Sequence, residues 1–284
     1  MAVSWKHSLD GQVALVTGAG RGIGRAIAEE LAGRGARVAC CARTAEQLER
    51  TVEAIRALGG TAVAYPLDVR SEEEIQATVD AIVADWGGLD ILVNNAGTNR
   101  VERVEKLARA DWDEVLATNL SGPFLLAKTA LGPLAARSGV IVNVASVGGR
   151  PGVEKFEGMA AYVASKYGLM GFTEVLALEA RRRDVRVYAV CPGSVATRML
   201  RETLPDGLAR DGQPAGREWH RRRPHAPARQ EPGVATPGWP PRPARRPLWP
   251  LDSLVSCRFS AKLRHHTQTQ ARPRGPRRLG RGVS

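Results

Sequence analysis

Cysteine is scarce in this chain. Its four cysteines, Cys40, Cys41, Cys191 and Cys257, have neither disulfide-framework nor metal-knuckle spacing. That argues against a stapled secreted scaffold and a zinc module; each thiol reads as a small buried hydrophobe in a reducing cytosol. Cys40 and Cys41 are adjacent in a strand-like run, so they are expected on opposite faces of a sheet. No apolar segment of signal-peptide type follows Lys6 and His7, and no uncharged apolar run reaches membrane-spanning length. The expectation is a cytoplasmic protein with no metal and no membrane partner.

Excess charge is also missing from most of the chain. The net charge of +12, taken alone, suggests a nucleic acid or membrane partner. Yet residues 1–210 carry 25 Lys and Arg against 25 Asp and Glu, whereas residues 211–284 carry 16 against 4. The tail also holds 12 of the 18 prolines and four of the five histidines. The excess therefore belongs to the tail, and the first 210 residues read as an electrically balanced globular domain.

Short β-rich runs alternate with helical patterns over the first 190 residues, which is the signature of βαβ units around a parallel sheet. Strands are predicted at Val13–Thr17, Arg37–Cys41, Ala62–Pro66, Ile91–Asn94, Val140–Val144 and Val185–Val190, mostly apolar throughout, as strands covered on both faces should be. Helices are predicted at Gly22–Arg34, Ala45–Leu58, Glu72–Trp86, Asp111–Ala136 and Ala160–Arg182. Ser71 with Glu74 reads as a capping box. Gly122-Pro123 should kink or break the fourth helix. The implied fold is α/β, a doubly wound parallel sheet of Rossmann type, with its ligand crevice at the strand C-terminal ends.

Gly18, Gly22 and Gly24, with Ile23 between the last two, follow a strand and open a helix. A dinucleotide site needs that context for its tight turn, close backbone approach to pyrophosphate, and helix N-terminus. After the second strand, where an acid would bind an NAD ribose, stand Ala42 and Arg43; Arg21 lies inside the glycine turn. Two guanidiniums without a carboxylate suit a 2′-phosphate, so NADP(H) is preferred and NAD(H) remains open. Tyr162 and Lys166 are four residues apart on one predicted helix face. A nearby ammonium and a cationic nicotinamide would lower the phenol's pKa, letting Tyr162 exchange a proton with a carbonyl or alcohol oxygen. Ser146, just past the fifth strand, would hydrogen-bond that oxygen where charge develops.

The glycine turn, Asp68-Val69, Asn94-Asn95-Ala96-Gly97, Asn119, Ser146 and Tyr162-Val163-Ala164-Ser165-Lys166, in this order, resemble the short-chain dehydrogenase/reductase family from about Gly11 to about Leu200. The resemblance implies a nicotinamide-dependent oxidoreductase, with 3-oxoacyl-thioester reductases among the similar members. It further implies that Asp68 and Val69 contact adenine and that Asn95, Ala96 and Gly97 support the cofactor. Lys166 would hold the nicotinamide ribose, and Asn119 a water connecting Lys166 to solvent. Pro192, Gly193 and Thr197 would sit in the loop that reaches the carboxamide or pyrophosphate. Ser146 and Tyr162 are 16 residues apart, about three more than the family pattern implies. The extra length falls in Arg150–Met159, beside the site.

The pattern then stops. The resemblance implies a substrate-covering helix, another helix and a seventh strand, and none is legible after Pro205. The division is therefore a catalytic domain over residues 1–205 and a Pro/Arg-rich, disordered tail over 206–284. Its composition fits a GC-rich gene read out of frame; the competing reading is a genuine basic extension that stacks nucleic acid on Trp219, Trp239 and Trp249. Two functions follow. One is an NADP(H)-preferring enzyme acting on a small-molecule carbonyl or alcohol, with a compromised family-type homo-oligomer. The alternative is an impaired dinucleotide-binding remnant whose tail binds nucleic acid or nothing.

Overall fold

The computed structural model describes residues 8–195 and 197–203. Six parallel strands form one sheet: β1 (Val13–Thr17), β2 (Arg37–Ala42), β3 (Thr61–Pro66), β4 (Ile91–Asn94), β5 (Val140–Val144) and β6 (Arg186–Val190). Their spatial order is β3-β2-β1-β4-β5-β6. The order in which successive strands are laid down reverses between β1 and β4, so the crevice at their C-terminal ends is where a doubly wound sheet takes its ligand. The helices are α1 (Gly22–Gly33), α2 (Ala45–Ala57), α3 (Glu72–Trp86), α4 (Arg109–Leu116), α5 (Gly122–Ala135), α6 (Ala160–Ala180) and the short α7 (Arg198–Thr203).

Alternation along the central strands divides the core in two. Val13, Leu15 and Leu92 pack with Ile75, Leu126, Ile141 and Leu176 on one face; Ala14, Val16 and Val93 pack with Ala28, Leu48 and Ile55 on the other. Cys41 belongs to the first cluster and Cys40 to the second, both fully buried on the opposite faces expected of them. Burial pushes the Cys40 thiol up to about 12 and raises Cys41 as well, so both are inert at neutral pH.

The outer strands depart from the expected uniform burial. β6 alternates exposed and half-buried positions, with Tyr188 53% and Val190 42% exposed. Among the described residues, β6 pairs with β5 alone, as an edge strand does. The proposed loss of a seventh strand and the Pro/Arg-rich tail concern residues beyond 203 and lie outside the described residues.

Two helix readings are refined. Ser71 Oγ accepts the Glu74 N–H at 3.1 Å, but the Glu74 carboxylate accepts from the Asp68 N–H at 2.8 Å and does not reach back to Ser71. Half of the capping box is present; its other half ties the β3–α3 turn instead. The fourth predicted helix divides into α4, a π-helical turn over Ala117–Ser121, and α5. Pro123 has no N–H for the Asn119 carbonyl and would crowd it in a regular helix; the wider π turn relieves that conflict. Gly122 permits the close packing that follows: a Cβ there would lie 2.9 Å from the Val69 carbonyl oxygen.

Candidate active site

The glycine turn is built by close approach. Gly18 and Gly22 have positive φ values of 66° and 56°, accessible to glycine at little cost. A Cβ on Gly24 would overlap the Gly18 carbonyl oxygen and Asn95 Nδ2. Thr51 of α2 donates to the Ala19 carbonyl at 3.1 Å and the Ala19 N–H donates to Cys41 O at 3.1 Å, fixing the turn to its neighbours. At the start of α1, Arg21 supplies no side-chain cap and the first turn contains no acid. Uncapped N–H groups at the positive end of a helix dipole suit an anionic pyrophosphate, so these residues fit a dinucleotide.

Thr17 performs a task that the sequence reading did not assign. Its hydroxyl accepts the Asn95 and Ala96 N–H groups, each at 3.0 Å, and lies 3.2 Å from the Val93 carbonyl as donor. Asn95 Nδ2 returns to the Thr17 carbonyl at 2.9 Å. Asn95 and Ala96 are thereby held against the end of β1, across the sheet's reversal point. Thr17 was legible as the last residue of an apolar strand, the one polar group there able to saturate a facing loop.

At the adenine end, Asp68 and Val69 separate in role. Val69 is buried, its side chain packed in the core beside Gly122. Asp68 forms a two-pronged ion pair with Arg70, with contacts of 2.6 Å and 3.0 Å. The hydrogen bonds from Arg70 are the main cause holding the Asp68 carboxyl below its usual range, and Arg43 adds to the effect. Arg43 and Arg21 are both exposed on the loops bordering this end, with Ala42 in the position where an acid would read a ribose.

The four candidate catalytic residues come from three elements. Asn119 lies in the π turn, fully buried: Oδ1 accepts the Thr98 N–H at 2.8 Å, and Nδ2 donates to Thr98 O at 2.9 Å and Ser165 Oγ at 3.0 Å. Ser165, another residue missed in the sequence, donates to the Tyr162 carbonyl at 2.7 Å and joins Asn119 to α6. Ser146 follows β5 and caps a one-turn 3₁₀ segment, its Oγ accepting the Gly148 N–H at 3.1 Å. Tyr162 and Lys166 share α6; Lys166 Nζ lies 5.8 Å from the Tyr162 ring centroid and donates to Val144 O at 2.8 Å. Gly97 faces both partners, since a Cβ there would stand 3.3 Å from Asn119 Oδ1 and 3.9 Å from Lys166 Nζ.

The electrostatics correct one expectation. Tyr162 is not lowered by the neighbouring lysine: burial raises its pKa, and a hydrogen bond from Ser146 opposes the rise. Lys166 is itself depressed to about 8 by burial. Lys166 Nζ is engaged with the Val144 carbonyl, and burial and Ser146 are the causes that act on the Tyr162 phenol. Ser146 is the protein group that favours the ionised phenol.

The sixth-strand loop approaches both ends. Pro192 O accepts the Val147 N–H at 3.1 Å, tying the loop to the Ser146 turn. A Cβ on Gly22 would meet Thr197 Cγ2 at 3.3 Å, so Thr197 borders the glycine turn; its hydroxyl accepts the Leu200 N–H at 3.3 Å. Gly193 is exposed and makes no close approach. No helix among the described residues is long and apolar enough to cross a membrane.

Residues 12–207 match the family model described as short chain dehydrogenase. The 3-oxoacyl-[acyl-carrier-protein] reductase FabG of Vibrio cholerae is 43% identical over 195 residues, covering 68% of this chain and 78% of that protein. A metagenomic short-chain oxidoreductase solved in complex with NADP is 41% identical, with a TM-score of 0.62, covering 66% of this chain and 84% of that one. An NAD+-bound xylitol dehydrogenase is 38% identical, with a TM-score of 0.63, covering 66% and 72% respectively.

Proposed function

The chain belongs to the short-chain dehydrogenase family, and on that premise we propose that it is an NADP(H)-preferring reductase of carbonyl compounds with Tyr162 as the proton donor. At the coarser level it is an NAD(P)-dependent oxidoreductase acting on CH–OH or keto groups. The observation that carries the finer reading is the meeting of Asn119, Ser146, Tyr162 and Lys166 at the sheet edge that bears an uncapped glycine-turn helix.

When bound, the nicotinamide supplies the hydride. The chain's residues bind, orient and move the proton. The N-terminus of α1 receives the pyrophosphate, and Arg21 and Arg43 receive a 2′-phosphate, which guanidinium binds bidentately. Ser146, whose one proton is directed to Tyr162 in the structure, turns it to the substrate oxygen as negative charge grows there, its Oγ still accepting the Gly148 N–H. Tyr162 Oη delivers its proton to the same oxygen, its raised pKa keeping that proton in place until charge develops. Lys166 holds the ribose hydroxyls, and Asn119 keeps the helix carrying both residues at a fixed depth through Ser165.

A 3-oxoacyl thioester is the first substrate to test, on the similarity to FabG; a polyol is the second, on the similarity to the xylitol enzyme. NADPH fluorescence titration of the full chain, followed by turnover assays of the 3-oxoacyl thioester with NADPH and of the polyol with the oxidised cofactor, is the experiment. Saturable binding with consumption of NADPH on a ketone is expected. Binding without turnover on any carbonyl would favour the remnant reading.

A further inference from the structure

Buried polar side chains behind the site form one connected string. Asn94 Nδ2 at the end of β4 donates to Asn143 Oδ1 of β5 at 2.8 Å; Asn143 Nδ2 donates to Thr173 Oγ1 of α6 at 2.8 Å; Thr173 Oγ1 donates to Leu169 O at 2.6 Å. Asn94, Asn143 and Thr173 are 2%, 0% and 5% exposed. The last acceptor fixes the polarity of the whole string. A backbone carbonyl only accepts, so the Thr173 proton goes to Leu169, its oxygen must accept from Asn143, and the Asn143 oxygen must accept from Asn94. Each link is directional and lies among buried side chains.

The string joins three elements that bear the site. Asn94 precedes Asn95 and Ala96, Asn143 is three residues before Ser146, and Thr173 lies on the buried stripe of α6 with Lys166 and Leu169. α6 has a second attachment to β5, from Lys166 Nζ to Val144 O, the residue next to Asn143. The two attachments differ in stiffness. Lysine reaches through four methylenes and accommodates sliding of its helix, whereas the short threonine does not. We propose that Thr173 is a positioning residue: through Asn143 it sets the axial position of α6, and thereby places Lys166 for the ribose.

The inference rests on the reading of Lys166 as a cofactor-holding group, and a double-mutant cycle on NADPH affinity separates the two. Thr173→Val removes the hydroxyl at nearly constant volume and leaves Asn143 Nδ2 without its acceptor. NADPH Kd, from fluorescence titration of the full chain, is expected to rise about tenfold in the wild-type background. In a Lys166→Ala background the same change should move Kd less than about twofold, because the group it positions is gone. Thr173→Ser, which keeps the hydroxyl, should restore affinity. If Lys166→Ala by itself leaves Kd unchanged, the role given to Lys166 fails, and this inference with it. If Lys166→Ala weakens binding but Thr173→Val does not, or weakens it equally in both backgrounds, the threonine is only a structural contact and the inference is overturned. Should Thr173→Val not fold, Thr173→Ala enters the same cycle with the same readings.

Discussion

Gly24→Ala tests whether the glycine turn is held by contact or merely tolerates glycine. The added methyl would overlap the Gly18 carbonyl oxygen and Asn95 Nδ2, with the Gly18 carbonyl carbon at 2.7 Å. Two of those atoms are backbone, and the third is fixed by its bond to Thr17 O at 2.9 Å, so no flexible side-chain end can yield. Overpacking of this kind costs about 2 kcal/mol. Displacing Asn95 from its carbonyl adds about 1 kcal/mol. Alanine's higher helix propensity offsets about 1 kcal/mol. The net loss of about 2 kcal/mol should lower Tm by roughly 4–8 °C for a domain of this size. Thermal melts followed by fluorescence give the first number, and NADPH titration should show weakened affinity, since Gly18 and Asn95 line the same turn. Gly171→Ala is the internal control: it lies exposed within α6, where a Cβ meets nothing within 4 Å, and should gain about 0.5–1 kcal/mol. A Gly24→Ala protein with unchanged Tm and unchanged NADPH affinity would refute the contact argument.

Three further outcomes are expected. Tyr162→Phe should reduce turnover by at least about a hundredfold while NADPH Kd changes little, as measured by initial rates and fluorescence; near-normal rates would remove Tyr162 as proton donor. Arg43→Asp should shift the ratio of kcat/KM values from NADPH toward NADH, and a wild-type protein that already prefers NADH would end the 2′-phosphate assignment. Lys166 should add a stability gain that grows from about pH 8 upward: unfolded Lys166 keeps its proton to about 10.5 but the folded residue only to about 8, so through this group the unfolded chain binds more protons there. The buried thiols act in reverse from the same pH upward, because folded Cys40 stays protonated to about 12 while the unfolded thiol titrates at about 9, so the lysine is read from the difference between wild type and Lys166→Met. A Tm difference between the two proteins that does not change in favour of wild type as pH rises from about 8 to about 9 would contradict this.

The strands were legible because local pattern and tertiary environment agree. Val13–Thr17, Ile91–Asn94 and Val140–Val144 are apolar runs in a covered sheet, and their limits emerge unchanged. The fourth helix was less legible: composition shows that Gly122-Pro123 must disturb it, but not that a π turn would absorb the strain and bury Asn119 in doing so. The electrostatics of Tyr162 were misread for a related reason. Spacing places Lys166 on the same face, but the burial that raises one pKa and depresses the other depends on elements packed from β5 and the π turn.

Polar residues within apolar runs carried the least local signal and the most tertiary consequence. Asn143 interrupts β5 and Thr173 interrupts an apolar stretch of α6, and periodicity alone treats each as a break in the pattern. Their partners are 49 and 30 residues away, so no window along the chain contains a pair. One feature does survive in the sequence: β4 and β5 each carry an asparagine among aliphatics, and the parallel register sets Asn94 directly opposite Asn143. Two amides at one register position on the same covered face cannot both turn to solvent. One bond joins them, from Asn94 Nδ2 to Asn143 Oδ1; Asn94 Oδ1 stays buried without a hydrogen-bond partner, and Asn143 Nδ2 needs a third group. α6 supplies that group at Thr173. The acceptor that Asn143 requires thus holds the helix that carries Tyr162 and Lys166 against the strand that leads into Ser146. That geometric dependence is why substitution at Thr173, which touches neither substrate nor cofactor in the proposed mechanism, should register at the cofactor site.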